Sequence, residues 1–401
     1  MHLSSQTTGD GRWRLLVTTL HPDCFFQSRS SSPIHWTRFF VLLVTFFCSA
    51  YTVHAGVVVT DVTDIGELPT TPNNGGVIGY DAGMSVHFGS FSYWFFGDTN
   101  RDSNRPNGNW QLDNVLEGFS FGTHVGRTFD TAAGDGITGM VYKRDEPFNA
   151  IPLLENAPNE CVVWPAGAVG TSQGELYLYF TAWGNCSDGW VQDPQGQGLA
   201  KFTDLTNMEV ERIPGYVLPP LSPKWTGPVS ASFDTPCGAA HYVYLFGLDG
   251  TDVMLTRVAD VDIEDSSKYR FWDGAGWVPN AEKSEPIMQI ISGPSFFSVA
   301  YNDFLDRWIA IYSCGYASLV CMNHTINAGA DPNRMSEGWT EGEVIYSCPA
   351  GATWRCKHAF QHPQLAHGRY IYITTAQHGE QAGPEGIPYN LQLRRLRLDW
   401  E

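Results

Sequence analysis

Basic side chains are scarce in this chain. Lys and Arg number 24 against 42 Asp and Glu, a formal net charge of −18 at pH 7. Residues 1–55 hold four Arg and two acids, so the remainder carries 20 basic and 40 acidic side chains, a net of −20. A surface of that sign repels nucleic acid and anionic membrane and leaves neutral ligands, such as sugars, as the easier partners. Long amphipathic helical periods are absent. No Gly-x-x-x-x-Gly-Lys-Ser/Thr loop is present to cradle a nucleotide phosphate, and no Cys-x-x-Cys pair for a structural zinc. An all-β composition remains. With 401 residues, 43% of them hydrophobic, there is material for a large core, and 41 Gly and 24 Pro supply turns between many strands.

The strands recur as hairpins. Gly79-Tyr80-Asp81-Ala82-Gly83-Met84-Ser85 opens a first strand, and Tyr93-Trp94-Phe95-Phe96-Gly97-Asp98-Thr99 closes a second, with a turn at Gly89-Ser90. Such a hairpin brings Asp81 and Asp98 to one rim. Similar aromatic-rich runs follow at Leu176–Trp183, Tyr242–Asp249, Arg307–Cys314 and Tyr370–His378, most of them spaced by roughly 65 residues. Their preceding strands read as Met84–Phe88, Gly167–Thr171, Val229–Phe233, Phe296–Tyr301 and Gln364–His367. Further strands read at Leu116–Phe121, Val253–Val258, Ser318–Asn323 and Leu391–Leu398. A repeated four-stranded unit predicts a β-propeller, here with five blades, over a β-sandwich with decorated loops. Val57–Val62 is expected to complete the last blade beside Leu391–Leu398. With no linker-like stretch, residues 56–401 read as one domain.

Residues 1–55 read as a leader. Phe39–Phe47 is an apolar run after Arg38, and Val53-His54-Ala55 offers a cleavage site, the pattern of a secretory signal peptide. The alternative is a type II membrane anchor with Arg29 and Arg38 on the cytosolic side. Secretion to the extracellular space, with no membrane partner after cleavage, is the expectation. Seven cysteines lie beyond Ala55, which in an exported protein implies disulfides and one leftover thiol. Cys314/Cys321 and Cys348/Cys356 are close enough to pair locally, and Cys161/Cys186 is a third candidate. Asn185-Cys-Ser187 and Asn323-His-Thr325 are glycosylation sequons.

Tyr80–Ser85 with Phe96-Gly97-Asp98-Thr99, Trp164-Pro165-Ala166-Gly167, Leu255–Val258 with Tyr269–Trp272 and Gly276-Trp277, Ser298–Asn302 and His362-Pro363 together carry a resemblance. From about Gly75 to the C-terminus, the chain is similar to the domain-of-unknown-function propellers related to endo-D-arabinanases. One departure is Ala82, where the pattern leads one to expect Gly. The resemblance implies a five-bladed propeller with a sugar-binding cleft, some members being glycoside hydrolases that cut arabinofuranosyl linkages.

The rim then holds Asp81, Asp98, Glu160, Trp164, Trp183, Ser230, Asp249, Ser298, Cys314, His362, His378 and Glu380. Aromatic planes suit the C–H faces of sugars, and carboxylates suit their hydroxyls. Asp81 is the expected base or nucleophile, since the resemblance places it on the innermost strand. Asp98 is expected to orient substrate or tune its neighbour. Glu160 is the expected acid, because its apolar flank (Cys161 to Trp164) would raise its pKa if buried. Asp249 and Glu380 are further acids. Trp164, Trp183, Asp249, Ser298 and His362 are expected to bind substrate, His362 through a sugar hydroxyl or by facing a central ion. Arg101, Arg355 and Lys357 read as rim bases without a role. No metal site is predicted and no cofactor required, although a central Ca2+ or other ion is compatible with the ring. The expected activity is hydrolysis of furanosidic, arabinan-like linkages in a polysaccharide or oligosaccharide by a monomer. A non-catalytic, lectin-like propeller is the alternative. The two differ in whether a second carboxylate faces Asp81, at about 5 Å for retention or about 6.5–9.5 Å for inversion.

Overall fold

The five aromatic-rich runs form the second strands of five sheets. The computed structural model describes residues 2–7, 13–18, 56–68, 79–100, 119–120, 123–129, 136–137, 139–146, 149–184, 193–218, 224–235, 238–292, 297–315, 318–327, 329–348, 354–378 and 390–401. The chain divides into two compact units, Met1–Val53 with Ser232–Ala240, and His54–Ala231 with His241–Glu401. In the first unit His2–Thr7 pairs antiparallel with Trp13–Thr18. The apolar run at 39–47 and the cleavage site lie outside the described residues.

The second unit is all-β and propeller-like. Sheet I runs Gly79–Phe88, Phe91–Asn100, His124–Thr128, Val141–Tyr142. Sheet II runs Val162–Gly170, Leu176–Gly184, Asp193–Asp204, Glu209–Arg212. Sheet III begins with residues 224–231 of the strand Lys224–Thr235 and 241–249 of the strand Gly238–Asp249, the parts of those strands in this unit, then runs through Asp252–Ala259, Arg270–Trp272 and Trp277–Val278. Sheet IV runs Phe297–Asn302, Arg307–Cys314, Leu319–His324, Glu343–Ser347. Sheet V runs Trp354–Gln361, Tyr370–His378, Asn390–Trp400 and then Val57–Glu67, so the early strand joins the last one, Val59 opposite Leu398, as expected.

Period-two alternation along the second strands builds the core. Tyr93 and Phe95 pack with Val163, Leu178 and Phe180 of sheet II. Trp94 and Phe96 point the other way, to Tyr372, Leu391 and Leu393 of sheet V. Tyr177 and Tyr179 meet Val243 and Leu245 of sheet III. Tyr244 and Phe246 meet Trp308, Ala310 and Tyr312 of sheet IV. Ile309 and Ile311 meet Ile371 and Ile373 of sheet V. Each second strand is therefore apolar on both faces, which explains its aromatic density. The first strands bound an axial cavity of about 820 Å³, lined by Val86, Val169, Val229, Val299 and Gln361 among others.

Two strand readings change. Gln364–His367 is no strand: Pro363–Leu365 is a 3-10 turn, and the first strand of sheet V is Trp354–Gln361. Pro363 fixes its own φ and lacks an N–H for the ladder. The third strand of sheet I is His124–Thr128; of the stretch 116–121, the described part is the short strand Phe119–Ser120. Cys314–Cys321 and Cys348–Cys356 are disulfides, and Cys161 is disulfide-bonded too. Asn323 is fully buried, and its Nδ2 donates to the Gln289 carbonyl at 3.1 Å and the Thr340 carbonyl at 2.7 Å. The folded protein cannot present it to a glycan. The sequon at 185–187 lies outside the described residues.

The first strands of sheets I, II and V bulge, and neighbours hold the bulges. In sheet I the register slips on either side of Ala82. Ala82 has φ 64° and Gly83 φ 131°, left-handed conformations that glycine adopts freely and alanine at a cost of about 1–2 kcal/mol. The Thr374 hydroxyl of sheet V donates to the Gly83 carbonyl at 3.2 Å. In sheet II, whose register slips between Pro165 and Gly167, the Ala166 carbonyl accepts from the Thr226 hydroxyl of sheet III at 3.1 Å.

Candidate active site

Asp81 sits on the sheet I bulge, 7% exposed. Tyr80 pairs with Thr99 and Ala82 with Phe96, which leaves Asp81 against Gly97 and Asp98. Its Oδ1 accepts the Ala82 N–H at 2.9 Å, and its Oδ2 accepts Lys357 Nζ at 2.8 Å. His358 Nε2 lies 3.4 Å from Oδ1. A buried carboxylate is costly unless paired and hydrogen-bonded, and here it is both. His358 is itself buried and has φ 54°. Left-handed, non-glycine residues thus flank the ion pair on both sides, at Ala82 and His358; backbone strain of this kind gathers at functional sites.

Asp98 is half-buried, and Trp164 Nε1 donates to its Oδ1 at 2.7 Å. Trp164 and Trp183 pack with ring centroids 6.1 Å apart, and the buried Trp183 Nε1 has no hydrogen-bond partner among the described residues. A Cβ at Gly97 would lie 3.7 Å from the Asp81 carbonyl oxygen and 3.8 Å from Trp164 Cδ1, so Asp81, Asp98 and Trp164 form one group. The structure brings these three expected residues together, with Trp183 packed against Trp164.

Other expected residues lie elsewhere. Glu160 has a fully buried side chain held by Arg212: Nη1 donates to its Oε2 at 2.7 Å and Nη2 to its Oε1. Tyr216 donates to Oε1 at 2.6 Å and the Ala157 N–H to Oε2 at 2.8 Å. Burial pushes this carboxyl up, as its apolar flank suggested, but the hydrogen bonds from Arg212, Tyr216 and Ala157 outweigh it and hold the pKa below the usual range. An ionised, clamped carboxylate cannot serve as the acid. His362 is fully buried and packs against Trp94, the two rings tilted with centroids 4.6 Å apart. Its Nε2 meets Thr374 Oγ1 at 2.9 Å and its Nδ1 meets Ser85 Oγ at 2.6 Å. Because Thr374 gives its proton to Gly83, it accepts from Nε2–H, and Nδ1 accepts from Ser85. Burial lowers the His362 pKa to about 3. The ring is neutral and out of reach of substrate, a correction to its expected role.

Ser298 lines the axial cavity and accepts the Gln361 N–H at 2.8 Å. Asp249 is exposed in a hairpin turn, opposite Asp252. Glu380 and the side chains of Ser230, Arg355 and His378 lie outside the described residues. His358 and His362 are four residues apart, but His362 spends both nitrogens on hydroxyls, and no group of three His, Cys, Asp or Glu among the described residues could hold a metal. Gly170–Gly174 spells Gly-x-Ser-x-Gly, yet it forms the hairpin turn between Val162–Gly170 and Leu176–Gly184, not a strand-to-helix elbow. Sequence reasoning missed His358 and gave Lys357 no role; a Lys-His pair four residues before His362-Pro363 was the available signal.

Comparison with known proteins adds a family and a fold. The model of a domain of unknown function, DUF4185, matches residues 69–380. No curated protein matches the chain. Among solved structures, a proposed hydrolase from Bacteroides ovatus aligns at TM-score 0.57 and 14% identity, over 80% of this chain and 87% of that one. The catalytic domain of a Coprinopsis cinerea GH62 α-L-arabinofuranosidase gives TM-score 0.46 and 9% identity, over 82% and 95% of the two chains. A GH43_1 enzyme from Xanthomonas citri gives TM-score 0.47 and 16% identity, over 83% and 90%.

Proposed function

The chain belongs to the DUF4185 family, and from that premise we propose that it is a secreted, five-bladed propeller hydrolase that cleaves furanosidic, arabinan-like linkages. The observation that carries this reading is the pairing of Asp81, on a strained bulge beside Lys357 and His358, with Asp98 on the adjacent strand. Asp81 supplies the carboxylate that attacks the anomeric carbon or activates water. Asp98, anchored by the Trp164 indole, takes the proton-transfer role at the leaving oxygen. Trp164 and Trp183 offer aromatic planes for a furanose ring.

Export fits the disulfides and the leader sequence. The working form is a monomer that needs no cofactor, with polysaccharide or oligosaccharide as its partner. Sugar release from a panel of arabinans and other furanose polysaccharides, compared between wild type and Asp81→Asn, tests the proposal. Wild type should release sugar, and the variant should fall by about 10²–10⁴-fold. Release unchanged by the substitution would remove Asp81 from the chemistry. Binding without any cutting would make the protein a lectin.

A further inference from the structure

We propose that Ser313 is a positioning residue of the Asp81 site, acting through the backbone bulge that presents Lys357 and His358. The inference rests on the reading that Asp81 takes part in the reaction. Ser313 lies on the second strand of sheet IV, 7% exposed. Its Oγ donates to the Cys356 carbonyl and accepts the Ala359 N–H at 2.9 Å. Those two backbone groups bracket Lys357 and His358.

The bracketed residues need such a partner. The first strand of sheet V slips register twice, between Trp354 and Lys357 and between Lys357 and Phe360. Each slip removes ladder hydrogen bonds, and a buried backbone group left unpaired is costly. His358 adds left-handed strain, which persists only where the surroundings over-determine it. A hydroxyl can donate and accept from one atom, so Ser313 satisfies both ends of the bulge at once.

Both anchors are fixed in turn. Cys314, next to Ser313, is bonded to Cys321, and Cys356, whose carbonyl takes the Ser313 proton, is bonded to Cys348. The 2.8 Å approach of Lys357 Nζ to Asp81 therefore follows from where sheet IV holds the sheet V backbone. The Gly83 carbonyl is held the same way, by Thr374 of sheet V. The two halves of the Asp81–Lys357 pair are each set by a hydroxyl from a neighbouring sheet.

The test follows Lys357 itself. With limiting acetylating reagent and peptide mass spectrometry, Lys357 labelling is compared with that of the exposed Lys268 as internal reference. Lys357 should label slowly in wild type and severalfold faster in Ser313→Ala, as in the ion-pair control Asp81→Asn. Ser313→Thr, which keeps the hydroxyl, should restore the slow rate. A folded Ser313→Ala with wild-type labelling would overturn the inference. Should that variant fail to fold, amide exchange in the wild type decides: Ala359 N–H must exchange as slowly as the central strands, and fast exchange would overturn the latch. In sugar release, Ser313→Ala should lower kcat about ten- to hundredfold while leaving KM within about twofold. If wild type cuts no polysaccharide, the functional reading falls, and Lys357 labelling still decides this one.

Discussion

At Glu160 and His362, burial and hydrogen bonding compete for the same proton, with different outcomes. Glu160 is buried, yet its bonds from Arg212, Tyr216 and Ala157 win and the carboxyl stays ionised. His362 has hydroxyl partners alone, burial wins, and the ring stays neutral down to about pH 3. The sign of the linkage follows. A histidine whose folded pKa is depressed contributes stability above its unfolded value, near 6.5, and loses it as pH falls toward the folded value. We therefore predict that wild type loses thermal stability between pH 7 and pH 4 more steeply than His362→Gln, which has no charge to gain. Melting curves across that range check this, and parallel slopes would contradict it. His362→Gln should also be less stable than wild type at pH 7, by about 1–3 kcal/mol, since Ser85 loses a buried partner. The sequence did not separate these cases. Arg212 lies 52 residues from Glu160, so its apolar neighbours were visible and its cation was not.

At the scale of elements, strands with two buried faces are the legible ones. The Tyr93–Phe96 and Tyr177–Phe180 segments send alternate side chains to different neighbouring sheets, and that demand writes aromatic density into the sequence. The first strands of sheets I, II and V are less legible because bulges break their period of two. Trp354–Gln361 slips register twice, so its Lys357-His358 pair carries no alternation to read. The bulge at Ala82 was foreshadowed by its departure from the expected glycine, and the structure gives the reason, a φ of 64°. Ala82→Gly should raise stability by about 1 kcal/mol with sugar release retained. Gly83→Ala should do the reverse: φ is 131° there, and an added Cβ would lie 2.7 Å from Leu391 Cδ1. Denaturant midpoints for the two variants check both signs. Equal midpoints would mean that the bulge tolerates either residue.

In the second unit as a whole, the pairing of Val57–Glu67 with Asn390–Trp400 joins its first strand to its last. That closure was legible from one early apolar strand. It fixes sheet V, which carries Lys357, His358 and Thr374, against sheet I, which carries Asp81 and Asp98. On which carboxylate works with Asp81, fold and sequence diverge. The sequence favoured Glu160, whereas the folded chain commits Glu160 to Arg212 and places Asp98 beside Asp81. Sugar release from arabinan by folded wild type, Asp98→Asn and Glu160→Gln, each normalised to its folded fraction, is the most direct test. Asp98→Asn should lose activity by about 10²–10⁴-fold while folded Glu160→Gln keeps it. Loss confined to Glu160→Gln, with Asp98→Asn active, would contradict it.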